Sequence, residues 1–319
     1  MLDALLRKGY LPQELPPLFG TESIADCIKN HGQQLPTPFT QQKPIWTLPT
    51  HHNLARIGGL RRRLSVPNPF SFFRLARTFD SNTAALDSKW AASPYSHTKP
   101  MMSANQLRAI APSNPDRATP RALIRVGTRY LLRADISQFY PSIYTHTIPW
   151  AAHTKGIAKA SFNNMGLFGN VLDKELQACQ HGQTKGIAIG PDTSLGIAEL
   201  LLSQIDCRLA NTCDIRGGVR FIDDMEFAFR RLADAENTLC QLEAVLFEHE
   251  LQLNSNKTKI VELPDSIESA YVTQIRPYIP RRENASRAEW IDFFNNAFLL
   301  SHKFPDDGCF ATLLDACPL

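Results

Sequence analysis

Hydrophobic residues recur along this chain at two spacings, and the switches between them mark the elements. Ala235, Leu239, Leu242 and Leu246 share one helical face over residues 234–250. Residues 192–209, DTSLGIAELLLSQIDCRL, predict a long helix opened by Asp192 or Thr193 as cap. A short helix is expected near Thr21, where Thr-Glu-Ser precedes Ile24, Cys27 and Ile28, and another over 286–302. RRRLSVP at 61–67 predicts a strand ended by Pro67, with a helix in the following FSFFRLARTF. ALIRVGT and RYLLRADIS alternate as strands paired around Gly127. VRFIDDMEFAF predicts strand, acidic turn and strand, and KTKIVELP one more strand. The Pro- and Gln-rich residues 11–50 read as an extended arm, and the Ser-, Asn-, Thr- and Pro-rich 82–120 as loop. Helices and strands mix without an internal repeat, which predicts an α+β fold.

Composition narrows the class. The 319 residues, 43% hydrophobic and 20% charged, suit one large soluble domain or two ordinary ones. No apolar run approaches the roughly 20 residues of a membrane span, so no membrane partner is expected. Met1 to Tyr10 is amphipathic and lacks the features of a signal peptide. The seven cysteines (27, 179, 207, 213, 240, 309 and 317) form no CxxC pair, which argues against zinc and disulfides and for a reducing cytoplasm. Charge is divided along the chain. Residues 1–130 carry 17 Lys and Arg against 7 Asp and Glu, and the rest carries 17 against 24. A basic half before an acidic half suggests a polyanion-binding surface beside a carboxylate-bearing one, although uneven surface charge alone reads the same way.

Three carboxylates stand out. Asp135 ends the apolar strand RYLLRAD, where a lone Asp is more often a turn or helix cap. Asp223 and Asp224 sit at the tip of an apolar hairpin, where acidic turns are common. Adjacent carboxylates repel one another, and divalent cations relieve that repulsion. Two such cations about 3.5–4 Å apart can clamp the attacking and leaving oxygens of phosphoryl transfer. Mg²⁺, with Mn²⁺ as substitute, suits ligands of this kind.

The order of the pieces is more telling than any one of them. Strand-Asp135-ISQFYPSI precedes QTKGIAIGPDTSLGIAELLL, then FIDD, then LQLNSNKTKIVEL. This succession resembles motifs A to D of the reverse-transcriptase palm, and Arg61-Arg62-Arg63-Leu64-Ser65-Val66-Pro67 resembles the basic fingers strand before it. KGYLPQELPPLF, LSVPNPFSF, DISQFYPSIYTHTIPWA and QTKGIAIGPDTS further resemble the bacterial abortive-infection group of anti-phage reverse transcriptases. The resemblance implies right-hand fingers and palm at 51–265, after an N-terminal extension at 1–50. Residues 266–319 then start a helical region in place of a thumb, either truncated or unusually short, since the chain ends about 55 residues after motif D. In that group some members synthesise DNA without a template and prime it from a protein side chain. A protein-primed product and a homo-oligomer are therefore among the partners implied, beside dNTPs and a DNA or RNA strand.

Carried over residue by residue, Asp135, Asp223 and Asp224 hold the metal ions, the first two binding both and Asp224 close by and tuning the site. Tyr140, five residues after Asp135, lies under the incoming sugar and excludes a 2′-hydroxyl, with Ile136 and Phe139 lining the same nucleotide site. The plain alternative for Tyr140 is a core aromatic beside Phe139. Gln183, Gly186, Gly190 and Pro191 form the motif B turn beside the nascent pair, where glycine permits close approach. Lys185 stands just before Gly186, where many relatives outside the group carry the glutamine. Phe221 replaces the tyrosine usual at the head of motif C. Lys257 matches the motif D lysine, a proton donor to pyrophosphate, and reads equally as a solvated lysine in a turn. Arg62 is expected to grip the triphosphate, and Arg61 and Arg63 to meet nucleic-acid phosphate or solvent, because neighbouring strand residues face opposite ways. His146 and His153 are expected to pack. The competing readings are a mobile-element enzyme copying RNA, a nucleic-acid-binding scaffold with a degenerate palm, and an RNA polymerase. No appendage is visible for the first, intact carboxylates disfavour the second, and Tyr140 disfavours the third.

Overall fold

In a computed structural model, described for all residues except 17, 41–42, 56–60, 103–106, 113–115, 281–284 and 305–319, the chain forms two units. Met1–His52 and Arg63–Leu263 make the first, and Asn53–Arg62 with Pro264–Leu319 the second.

The first unit begins with α1 (Leu2–Lys8) and α2 (Glu22–His31), a 3-10 turn at Gly32–Gln34 and the short α3 (Thr37–Thr40). Residues 11–50 are thus more structured than an extended arm. Ala4, Leu5 and Leu6 are buried, and the Tyr10 ring stacks on Phe72 with centroids 4.4 Å apart. Strands β1 (Thr50–Ala55) and β2 (Arg61–Val66) pair into a two-stranded sheet. Asn68 then caps α4 (Pro69–Ser81), its side chain accepting from the Phe70 N–H, with Pro69 opening the helix.

Two expectations fail in the next stretch. Residues 82–120 contain α5 (Thr83–Ala91), β3 (Pro100–Met102), β4 (Ile110–Pro112) and the start of α6 (Ala118–Ile124), so they are not simply loop. Polar neighbours hide the two anchors of α5, Leu86 and Trp90, which stand one helical turn apart and are fully buried. The supposed strand ALIRVGT is the end of α6 and a turn. Asp116 accepts from the Ala118 and Thr119 N–H groups, which starts a helix that the apolar alternation masks.

RYLLRAD does form a strand, β5 (Tyr130–Asp135), followed by α7 (Phe139–Ser142), α8 (Thr147–His153), α9 (Lys155–Ala160) and α10 (Phe168–Ala178). Helix α11 (Asp192–Thr212) then leads to β6 (Gly217–Phe221), β7 (Asp224–Phe229), α12 (Leu232–Glu248) and β8 (Lys259–Glu262). The sheet has the order β6-β7-β5-β8, antiparallel throughout. Its Met225, Phe227 and Phe229 join Leu242, Val245 and Leu246 of α12 in one core. Along α11 Ile197, Leu201, Ile205 and Leu209 are fully buried, and truncating one such leucine to alanine costs about 2–5 kcal/mol.

In the second unit, α13 (Ala270–Ile275), a 3-10 turn at Arg276–Tyr278 and α14 (Arg287–Lys303) enclose Tyr271, Ile275, Phe293 and Ala297. Ser286 and Glu289 form a capping box that sets the start of α14, one residue from the expected boundary.

Candidate active site

The sheet brings the ends of two strands to one place. Asp135 stands in register with Asp224 across β5 and β7, and the Ile136 N–H donates to the Asp223 carbonyl at 3.3 Å. The pair Phe221–Asp224 closes β6 and β7 around the two-residue loop Ile222-Asp223. Ile222 has φ +58, the sign a type II′ hairpin turn needs at its first central position and one that suits glycine. Holding a β-branched residue there costs about 1–3 kcal/mol, so the surroundings must enforce it.

Each carboxylate has its own environment. Asp135 Oδ1 accepts from Asn254 Nδ2 at 3.1 Å, and Oδ2 from Lys257 Nζ at 2.9 Å. The Asp135 carbonyl accepts from the Asn254 N–H at 2.7 Å, which fastens the 251–258 turn beside β5. Asp224 Oδ2 accepts from Arg121 Nη2 at 2.5 Å, with Arg117 Nη1 at 3.9 Å. Burial holds the Asp223 carboxyl above the usual range, and the charges of Asp135 and Asp224 push the same way against the opposing Lys257. Among the described residues, no group of three or more His, Cys, Asp or Glu side chains is gathered as metal ligands would be. Asp224 is turned to arginine.

Arg121 falls between the loop expected at 82–120 and the strand expected at 122–128, where α6 in fact runs. Arg121 and Arg125 are four residues apart on a helix, about 6 Å along its axis. Asp224 and Glu226 are two apart on a strand, about 7 Å, and face the same side. The spacings match, so Arg121 meets Asp224 while Arg125 Nη2 donates to Glu226 at 2.8 Å. Arg133 Nε also donates to Glu226, at 3.2 Å. The signal available was Arg117-x3-Arg121-x3-Arg125, a helical repeat of charge.

Behind the hairpin lies a second cluster that no motif flagged. Arg220 is fully buried and donates to Glu199 through both terminal nitrogens at 2.9 Å, to Asp206 through Nε at 2.8 Å, and to the Ile222 carbonyl at 3.0 Å. Ser96 Oγ and Thr98 Oγ1 donate to the two Glu199 oxygens at 2.9 and 3.0 Å. Burial opposes the charge on Arg220, yet Asp206 and Glu199 outweigh it and raise its pKa. Burial pushes the Asp206 carboxyl up.

The remaining predicted residues divide. Ile136 and Phe139 are buried and Tyr140 is half-buried, its carbonyl accepting from the Ile187 N–H at 3.0 Å. That bond joins the segment after Asp135 to the GIAIG loop. Gln183 and Lys185 are exposed. Gly186 has φ +84 and its N–H donates to the Ile143 carbonyl at 2.8 Å. Gly190 has φ +133, and a Cβ there would lie 2.3 Å from Pro12, so packing of the N-terminal segment itself requires this glycine. Arg108, from the supposed loop, donates to Asp192 at the start of α11 and to the Gly190 carbonyl. In the arginine triplet, Arg61 and Arg63 are exposed and Arg62 is half-buried, the alternation a strand imposes. Arg61 and Arg62 fall with the second unit and Arg63 with the first, where its Nη2 meets His51 Nε2 at 3.2 Å. His146 pairs with Asp173 at 2.7 Å, and His153 Nε2 accepts from the Gly169 N–H at 3.1 Å.

The chain is similar in fold to apo telomerase from Candida tropicalis, at 11% identity over 99% of this chain and 66% of that one, TM-score 0.53. The form of that telomerase truncated from the C-terminal domain matches at 13% identity over 80% and 59%, TM-score 0.49. Telomerase from Candida albicans with the TWJ fragment of telomeric RNA matches at 10% identity over 91% and 58%, TM-score 0.46. The chain thus spans about 58–66% of the length of these structures. No curated protein matches its sequence significantly. The family model described as "Reverse transcriptase (RNA-dependent DNA polymerase)" matches residues 91–285, more than half of the chain and all of the sheet that carries Asp135, Asp223 and Asp224. The chain belongs to the reverse transcriptase family.

Proposed function

We propose that this chain adds deoxynucleotides to a nucleic-acid 3′ end, with Asp135 and Asp223 holding the metal ions. The observation that carries this reading is the junction of β5 and β7, where Asp135 faces Asp224 and Ile136 is bonded to Asp223. The upward shift of Asp223 supports it, because burial first and the neighbouring Asp135 and Asp224 second disfavour its charge, a cost that a bound divalent cation would relieve. Two hard carboxylates fit an ion that fills its shell with water and substrate phosphate oxygens, and the family uses divalent metals. Bound there, such ions neutralise charge at the attacking and leaving oxygens. Asp224, paired with Arg121, tunes the field and is not a ligand in this reading. Lys257 stands beside Asp135 and hands a proton to the leaving pyrophosphate. Tyr140 excludes a 2′-hydroxyl from the sugar site, flanked by Ile136, Phe139, Gln183 and Gly190. Arg62 contacts the triphosphate, and Arg61 and Arg63 the strand.

Residues 51–265 serve as fingers and palm, and 266–319 begin the helical region that follows. Wording shared with the abortive-infection group supports a role in phage defence, with an oligomeric enzyme in the cytoplasm. Incorporation of labelled dNTPs and NTPs, each with and without an added RNA template, tests the reading. dNTP incorporation dependent on Mg²⁺ or Mn²⁺ is expected, and its absence in every arm refutes it. Sequencing of copurifying nucleic acid, and a test for its covalent attachment to protein, decides between strand and protein priming.

A further inference from the structure

Resting on the two-metal reading, we propose that Thr98 and Arg220 are positioning residues which hold the Ile222 backbone so that the Asp223 carboxylate stays beside Asp135. Ile222 occupies the left-handed region at φ +58, where a β-branched residue does not remain unaided. Both polar groups of its backbone are captured. The N–H donates to Thr98 Oγ1 at 3.0 Å, and the carbonyl accepts from Arg220 Nη1 at 3.0 Å. Next in sequence, Asp223 follows directly from this grip.

The direction of each bond is set by its neighbours. A hydroxyl has one proton and two lone pairs. Thr98 commits its proton to Glu199 Oε1 at 3.0 Å, which leaves the oxygen to accept from Ile222. Glu199 is oriented in turn by Arg220 and Ser96. Ile222, Thr98, Glu199 and Arg220 therefore form a closed ring of hydrogen bonds, and Asp206 braces Arg220 from the other side. The segment carrying Thr98 is itself strapped to the hairpin, since the Arg220 N–H donates to the Tyr95 carbonyl at 2.7 Å and the Arg220 carbonyl accepts from the His97 N–H at 2.9 Å. A buried ion cluster is a poor source of stability compared with apolar packing, and its best use is to specify one geometry. Here the geometry specified is that of the hairpin loop.

The test is Mn²⁺ binding to substrate-free protein, followed by electron paramagnetic resonance, together with kcat, KM for dNTP and Tm. Thr98→Val is close in shape and removes the acceptor. It should weaken Mn²⁺ binding by about tenfold and lower kcat, with KM for dNTP little changed. Thr98→Ser keeps the hydroxyl and should restore both. If the valine variant does not fold, Thr98→Cys replaces it, and its weak thiol should also lose Mn²⁺ affinity where serine does not. The proposal is overturned if valine or cysteine binds Mn²⁺ as the native chain does, or if serine loses affinity equally. Failure of the native chain itself to bind Mn²⁺ or incorporate dNTP would instead sink the two-metal reading.

Discussion

Lys257 donates from Nζ to Asp135 Oδ2 at 2.9 Å, although 122 residues separate them in sequence. The lysine is 64% exposed while Asp135 is 15% exposed, so an exposed cation covers a recessed carboxylate. An ammonium competes with a divalent ion for the same oxygen. Lys257→Met should therefore tighten the Mg²⁺ half-saturation several-fold and lower kcat at saturating Mg²⁺ by about a hundredfold, the scale of a lost general acid. Tighter metal with unchanged kcat would make Lys257 an ion-pair partner only.

Asp223→Asn removes a charge that burial and two neighbouring carboxylates disfavour. Incorporation should fall on the order of 10³-fold or more, because metal-assisted charge stabilisation is lost. Thermal stability in EDTA should hold or rise. Substantial retained incorporation would remove Asp223 from the chemistry.

Tyr140 is half-buried just after the Asp135 strand, with its ring centroid 5.4 Å from that of Phe139. Tyr140→Ala should relax discrimination between dNTP and NTP by about tenfold or more, since a clash is a strong means of rejection. The ratio of kcat/KM values measures it. Equal ratios in both proteins would leave Tyr140 a packing residue.

Arg61 and Arg63 are exposed on β2. If each neutralises one phosphate of a single strand, each change to Gln should flatten the slope of log K against log salt by about 0.7. Arg62→Gln should raise KM for dNTP with little change in strand affinity. Three silent substitutions would remove the triplet from contact with nucleotide and strand.

His249 is buried, its Nδ1–H donates to the Val245 carbonyl at 2.8 Å, and burial lowers its pKa. Glu248 opposes that shift, while Lys155 and Arg208 add to it. The unfolded chain therefore takes up the proton first, and stability is lost as pH falls from the ordinary histidine value of about 6.5 toward the lower folded value. Denaturant midpoints at pH 7.5 and 5.5 should differ, and His249→Gln should narrow the gap. Burial also lowers the pKa values of His97 and His153, so part of the difference should remain. An unchanged gap would exclude His249 as its source.

Local pattern and order alone determined much of this protein. Alternation marked β5 and the β6–β7 hairpin, helical spacing marked α11, α12 and α14, and the succession of Asp135, the GIAIG loop, FIDD and Lys257 carried the family resemblance. Those signals are local or depend only on order, so one strand of text holds them. The tertiary structure decided what lies between distant segments. It made ALIRVGT the end of α6 and a turn, because Asp116 accepts from the Ala118 and Thr119 N–H groups at the start of that helix, and Arg121 and Arg125 match the spacing of Asp224 and Glu226 across the sheet. It gave Gly190 a neighbour in Pro12, and Asp224 a partner in Arg121. Thr98, in a stretch that reads as loop, reaches the Ile222 N–H 124 positions away. A hydroxyl carries no periodicity, and only the closed ring through Glu199 and Arg220 makes it visible.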